Sequence, residues 1–153
     1  MLVGAIMSRR PVTVERDHTV LHVARLMREK GVGAVVVVDG RGRALGVCTD
    51  RDLAVRALAG PHADPGAVPV DQVMTRPVVS ADEDTLLFDL LRLMAKKRIR
   101  RAPVVDADRK VIGMVSMDDI VLLLTTELSN VAEVLGHSSR TLGDGSRDGD
   151  EEE

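Results

Sequence analysis

The feature that most constrains this chain is that it repeats itself. Met7, Met27, Asp39, Gly46, Thr49, Asp52 and Leu53 return 67 positions later as Met74, Met94, Asp106, Gly113, Ser116, Asp119 and Ile120. One-residue slips near Pro11/Pro77 and Thr19/Thr85 compensate each other. Self-similarity of this kind means one supersecondary unit used twice, each copy covering apolar surface the other cannot cover alone. Each copy opens with a short extended piece after a proline, residues 12–14 and 78–80. An acid-capped amphipathic helix follows, with Val20, Val23, Ala24 and Met27 on one face of the first and Leu86, Leu90, Leu93 and Met94 on one face of the second. Then come a Val-rich strand ending in an Asp turn (34–38, 102–105), a return strand (44–48, 110–115) and a second helix. The order β-α-β-β-α, twice, predicts an α+β fold with small sheets covered by helices.

A two-layer unit of this size is marginal alone. The near-continuous Val run of residues 34–38 indicates a strand buried on both faces. Pairing of the two copies within one chain, then dimerisation of the pair, is the expected remedy. The first copy covers residues 1–59 and the second 70–127. Between them residues 60–69 (GPHADPGAVP) read as a Gly- and Pro-rich linker. Residues 128–142 read as a helical extension, and the strongly apolar helix that begins near Met117 and continues through VLLLTTEL reads as an association face for a homodimer. Residues 143–153 hold six acids and one Arg, which puts residues 1–142 at +2 within a net charge of −3. Such a Gly-rich acidic end reads as a disordered tail.

Other function classes are disfavoured by composition. One Phe, no Trp and no Tyr leave few stacking platforms for nucleic acid, and any flat ligand must be gripped by aliphatic side chains. The lone Cys48 rules out an intramolecular disulfide and fits a cytoplasmic protein. The N-terminus lacks a charged leader with a long apolar core, and 18 apolar residues nowhere run uninterrupted, so neither export nor a membrane span is expected.

The sharpest coincidence between the copies is Gly46-Val47-Cys48-Thr49-Asp50-Arg51-Asp52 against Gly113-Met114-Val115-Ser116-Met117-Asp118-Asp119, both Gly-apolar-x-Thr/Ser-x-x-Asp. Thr49 and Ser116 fall where a strand ends and a helix begins. Free backbone N–H groups and the positive end of the helix dipole are expected there, a corner able to hold a phosphate. Asp52 or Asp119, three residues on, is placed to accept hydrogen bonds from a ribose diol. The same Thr/Ser-x-x-Asp pattern is also a capping box that merely satisfies a helix start. Spacing alone leaves both readings open.

The stretches IMSRRPVTV, GVGAVVVVDGRGRALGVCTDRDL, VMTRPVVSADED and KRIRRAPVVDADRKVIGMVSMDDI resemble the cystathionine β-synthase (CBS) domain family, over about residues 3 to 126. The resemblance implies a pseudo-twofold pair of CBS repeats, a disc-like homodimer, and ligands such as AMP, ADP or ATP, with NAD and S-adenosylmethionine as further candidates and no required cofactor. It also implies two unequal clefts shared between the copies. In the first, Thr49 and Asp52 meet Val78, Val79, Ile99, Arg100 and Arg101, with Asp52 on the ribose, Thr49 and Arg101 on the phosphate, and the aliphatic residues on the adenine. In the second, Ser116 and Asp119 meet Val12, Thr13, Val32, Gly33 and Ala34, with Arg51 the nearby cation. The basic wall Lys97-Arg98-Ile99-Arg100-Arg101 favours the first cleft for a phosphorylated ligand. Lys97 and Arg98 are expected in solvent. Val79 stands where the family often offers a polar side chain, so a base-recognising bond is missing there.

The remaining candidates are weaker. Cys48 reads as a small buried apolar residue rather than a redox sensor. His18 and His22 share a face, but no third metal ligand of suitable spacing follows. Asp118-Asp119 and Asp82-Glu83-Asp84 read as acids favoured at helix starts, without a nucleophile or base beside them. The methionines read as packing residues. The chain is therefore expected to be a non-catalytic regulatory module that binds an adenosine nucleotide and signals to a separate effector protein. The competing reading is a ligand-free structural or interaction module whose corners are only caps.

Overall fold

The computed structural model describes residues 1–141, with side chains through residue 136. The chain divides into two units, Met1–Ser116 and Met117–Glu153. In the first unit the strands β1 (Thr13–Glu15), β2 (Ala34–Val38) and β3 (Ala44–Thr49) form one three-stranded sheet. Strands β4 (Ala81–Asp82), β5 (Arg101–Val105) and β6 (Val111–Ser116) form another. In each sheet the first strand runs parallel to the second and the second antiparallel to the third, with a register irregularity at Val37/Val38 in one and at Val104/Val105 in the other. The α+β class and the duplicated sheet expected from the repeat are thus present.

Helix α1 (Val20–Lys30) starts at Thr19, whose side chain accepts the His22 N–H, and buries Val20, Val23 and Met27. It stops at Gly31, whose φ of 64° is the left-handed conformation that glycine adopts without steric cost. Helix α3 (Leu87–Lys97) ends the same way at Arg98, φ 54°, where a side chain must tolerate it. Its buried face is Leu87, Leu90 and Met94; Leu86, expected on that face, is the N-terminal cap position and is exposed. The acids Asp82, Glu83 and Asp84 lie in β4 and the turn after it, not in the first turn of α3.

Two further expectations shift. The opening strand of the second copy is Ala81–Asp82 rather than residues 78–80. The second helix of the first copy is a single α-turn, α2 (Asp50–Asp52), continuing into a π-helical turn Leu53–Leu58. The end of the linker is docked: Val20 N–H donates to Val68 O at 2.8 Å, Val70 N–H donates to His18 O at 2.8 Å, and Val68 packs into the first copy's core with Val14, Val23 and Val35. A 3-10 turn, Pro65–Ala67, shapes its middle.

The lead-in segments are exchanged between copies. Val3 N–H donates to Thr85 O and Gly4 N–H to Glu83 O, so the N-terminus docks on the second copy, as residues 68–70 dock on the first. Thr75 forms an antiparallel bridge with Val47, and Ser8 with Met114. Arg43 and Lys110 bridge where the hairpins meet. Each copy is therefore bordered by the other's lead-in segment, while β1 and β4 pair within their own sheets, which explains why a half-chain repeat needs its twin.

The second unit, as described, is the helix α4 (Met117–Thr141), unbroken across the boundary expected at residue 127. Asp118 and Asp119 lie in its first turn, and Val121, Leu122 and Leu128 are exposed. No described helix is long and apolar enough to cross a membrane. The acidic tail, residues 143–153, and the last residue of the expected extension lie outside the described residues.

Candidate functional site

The strand-to-helix corner after β3 is closed by its own side chains. Thr49 N–H donates to Asp52 Oδ2 at 2.9 Å and Thr49 Oγ1–H to the same oxygen at 3.0 Å; Asp52 N–H returns a bond to Thr49 Oγ1 at 3.2 Å. This is a complete capping box. The other two amide donors at the corner are also engaged, Asp50 N–H with Gly33 O at 3.1 Å and Arg51 N–H with Asp50 Oδ1 at 2.8 Å. The free N–H groups expected from sequence are therefore not free. The physical reason is that a short polar residue at each of positions 49, 50 and 52 supplies a local acceptor.

Asp52 is buried, and its second oxygen faces Arg56 Nη1 at 3.5 Å. Arg56 in turn donates to the carbonyls of Val73 and Met74, both at 3.0 Å. This residue escaped the sequence reading because its counterpart one repeat later is Leu123. An Arg four residues after a motif Asp, on one helix face, was the available signal.

Residues of the second copy reach this corner. Strand β3 contacts β5. The Nη2 of Arg101 and the Oδ2 of Asp50 lie 3.5 and 3.0 Å from the point where a Cβ on Gly33 would stand. Arg101, assigned from sequence to one cleft, and Gly33, assigned to the other, are thus brought together. Asp50, which no sequence argument selected, stands with them. Val78 and Val79, half-buried, follow Thr75, whose backbone is bonded to Val47 two residues before Thr49. Ile99 is half-buried, while Arg100, Lys97 and Arg98 are exposed.

Of the residues expected in the second cleft, Val12 O accepts the Val36 N–H at 2.9 Å, Thr13 is exposed in β1, Val32 is half-buried and Ala34 buried. Ala34 pairs with Thr49, and Ser116 with Arg101, within their own sheets. Arg51 and Asp119 are exposed.

An open cleft of about 520 Å³ is lined by Glu15, Arg16, Asp17, Asp39 and Asp71 among others, at the opposite end of the sheet from Thr49. It is dominated by acids, and Arg16 is already paired with Asp71 at 2.9 Å. Chemistry therefore points to the Thr49 corner. Cys48 is fully buried, and burial first, the Asp52 carboxylate second, pushes its thiol up to about 12. His18 Nδ1 accepts the Glu15 N–H at 3.1 Å, so this ring nitrogen serves the turn after β1. Among the described residues no three His, Cys, Asp or Glu gather to hold a metal.

Residues 3–58 and 70–126 each match the model of the CBS domain. The chain is 36% identical over 116 residues to the CBS domain-containing protein YhcV of Bacillus subtilis, covering 76% of this chain and 80% of that protein. It is 35% identical over 119 residues to the uncharacterized protein MK0525 of Methanopyrus kandleri, covering 78% of this chain but only 60% of that longer protein. Among solved structures, the CBS domain pair of protein MJ0100, in complex with 5′-methylthioadenosine and S-adenosyl-L-methionine, superposes with a TM-score of 0.75 at 30% identity. That match covers 83% of this chain and 98% of the other.

Proposed function

Because this chain belongs to the CBS domain family, with one repeat in residues 3–58 and another in 70–126, we propose that it is a non-catalytic regulatory module that binds an adenosine compound between its repeats. AMP, ADP, ATP, NAD and S-adenosylmethionine are the ligands to test. The observation that carries the reading is the meeting of Arg101 from the second repeat with Gly33 and Asp50 from the first, beside the Thr49–Asp52 corner. Residues from both copies there face one space, so a ligand held in it bears on how the copies pack. Aliphatic Val78, Val79 and Ile99 supply apolar surface for a flat base. The solved CBS pair that carries S-adenosylmethionine and methylthioadenosine supports an adenosine group.

Signalling follows if ligand favours one arrangement of the copies and an effector protein favours the same one. In this reading the chain is cytoplasmic, the effector is a separate protein, and the signalling form is a homodimer.

One observation favours a second reading, in which the corner is purely structural: Asp52 already holds Thr49 and faces Arg56, which ties down the second copy's leading segment. Calorimetry of the stripped full chain against the five compounds separates the two. Asp52→Asn keeps the side chain's shape and removes its charge. Micromolar binding that weakens in Asp52→Asn at unchanged fold supports the ligand reading. No heat with any compound at several temperatures leaves Thr49 and Asp52 as a cap alone.

A further inference from the structure

The proposed cleft has a polar end whose chemistry is unsuited to phosphate. Phosphate is gripped at a helix start by amide donors that have no other partner. Here the four donors of residues 49 to 52 all bond within the protein, to Asp52 Oδ2, Gly33 O, Asp50 Oδ1 and Thr49 Oγ1. The helix they open is one α-turn long before the π-turn begins, so its dipole is small.

The cation expected to hold phosphate does not stand alone either. Arg101 Nη2 and Asp50 Oδ2 flank the same point over Gly33, at 3.5 and 3.0 Å. Asp50 is not free to swing away at no cost, because its Oδ1 accepts the Arg51 N–H at 2.8 Å. A di- or trianionic phosphate arriving at Arg101 would meet this carboxylate at close range, where like charges destabilise both. Gly33 keeps the space between acid and base open. A side chain there would strike Asp50 first.

An acid and a base facing one space are matched by a group that carries both charges itself. An α-amino acid does: its carboxylate suits the planar guanidinium of Arg101 and its ammonium suits Asp50 Oδ2. We propose that this cleft selects an adenosine compound ending in an α-amino acid over one ending in phosphate, and that Asp50 is the residue that makes the selection. The inference rests on the adenosine reading above and narrows it.

The test is calorimetry of the full chain with S-adenosylhomocysteine, 5′-methylthioadenosine, AMP and ATP, on the native protein and on Asp50→Asn. The native protein is expected to bind S-adenosylhomocysteine about tenfold or more tightly than AMP or ATP, and Asp50→Asn to narrow or invert that ratio. Methylthioadenosine carries neither charged group, so its unchanged affinity reports that the variant is folded. AMP or ATP binding the native protein as tightly as S-adenosylhomocysteine, or a ratio indifferent to Asp50→Asn, overturns the proposal while adenosine binding stands. Binding of none of the four overturns both.

Discussion

Asp52 and Thr49 are bound to each other three times: Oδ2 of Asp52 accepts the N–H and the hydroxyl of Thr49, and the Asp52 N–H returns to Thr49 Oγ1. A motif aspartate in a family of ligand-binding domains is here first a structural residue. Asp52→Ala is therefore expected to destabilise the protein by about 1–2 kcal/mol in the absence of any ligand. Urea unfolding measures it. A midpoint unchanged from the native protein would mean the cap contributes nothing.

The glycines that lead the two motifs are fixed by methionines from the opposite copy. A Cβ at Gly46 would lie 2.6 Å from Met74 Sδ and 2.8 Å from the Thr75 carbonyl oxygen; at Gly113 it would collide with Met7 Sδ and lie 3.1 Å from the Ser8 carbonyl oxygen. Gly46→Ala and Gly113→Ala are both expected to destabilise, by about 1–3 kcal/mol. Gly46→Ala should cost more, because backbone yields less readily than a flexible Met side chain. Equal unfolding midpoints for the two variants would refute that ranking.

Arg98 caps α3 at φ 54°, where the first copy uses Gly31 at φ 64°. Arg98→Gly is expected to relieve strain and raise stability by about 0.5–1 kcal/mol, after the entropy glycine adds to the unfolded chain. Thermal unfolding reads the sign directly.

Cys48 sets a pH dependence. Its thiol ionises near 9.0 when unfolded and near 12 in the folded protein. The stability it lends is fully present below 9.0 and is lost as pH rises from there toward 12. Comparing denaturant unfolding between those limits, Cys48→Ala should show a shallower alkaline decline than the native protein. Iodoacetamide should label native Cys48 far more slowly than the unfolded chain.

Much of the fold could be read from the sequence because duplication writes the same structure twice. Asp39 and Asp106 make the same turn, accepting the N–H groups two and four residues on, Arg41 and Arg43 in one and Asp108 and Lys110 in the other. What a repeat cannot reveal is which copies touch. Met7 and Met74 are equivalent by spacing, yet each packs on the glycine of the other half, and no periodicity encodes that exchange. The docking of the linker's end was hidden for the same reason: Gly and Pro mark a chain that turns, while Val68 within it is buried in the first copy's core. At the site, Thr49 and Asp52 were legible as a motif. The engagement of their donors, and Asp50 beside Arg101, depend on side-chain directions that spacing does not fix.

The most direct test of the central claim is a methyl NMR titration of the full chain with S-adenosylhomocysteine. With one Phe and no Trp or Tyr, the native spectrum contains almost no aromatic ring currents, so a bound adenine announces itself. The account predicts upfield shifts concentrated on Val78, Val79 and Ile99, with Val38 in the acidic cleft unmoved. Shifts centred on Val38, or none at saturating ligand, would contradict it.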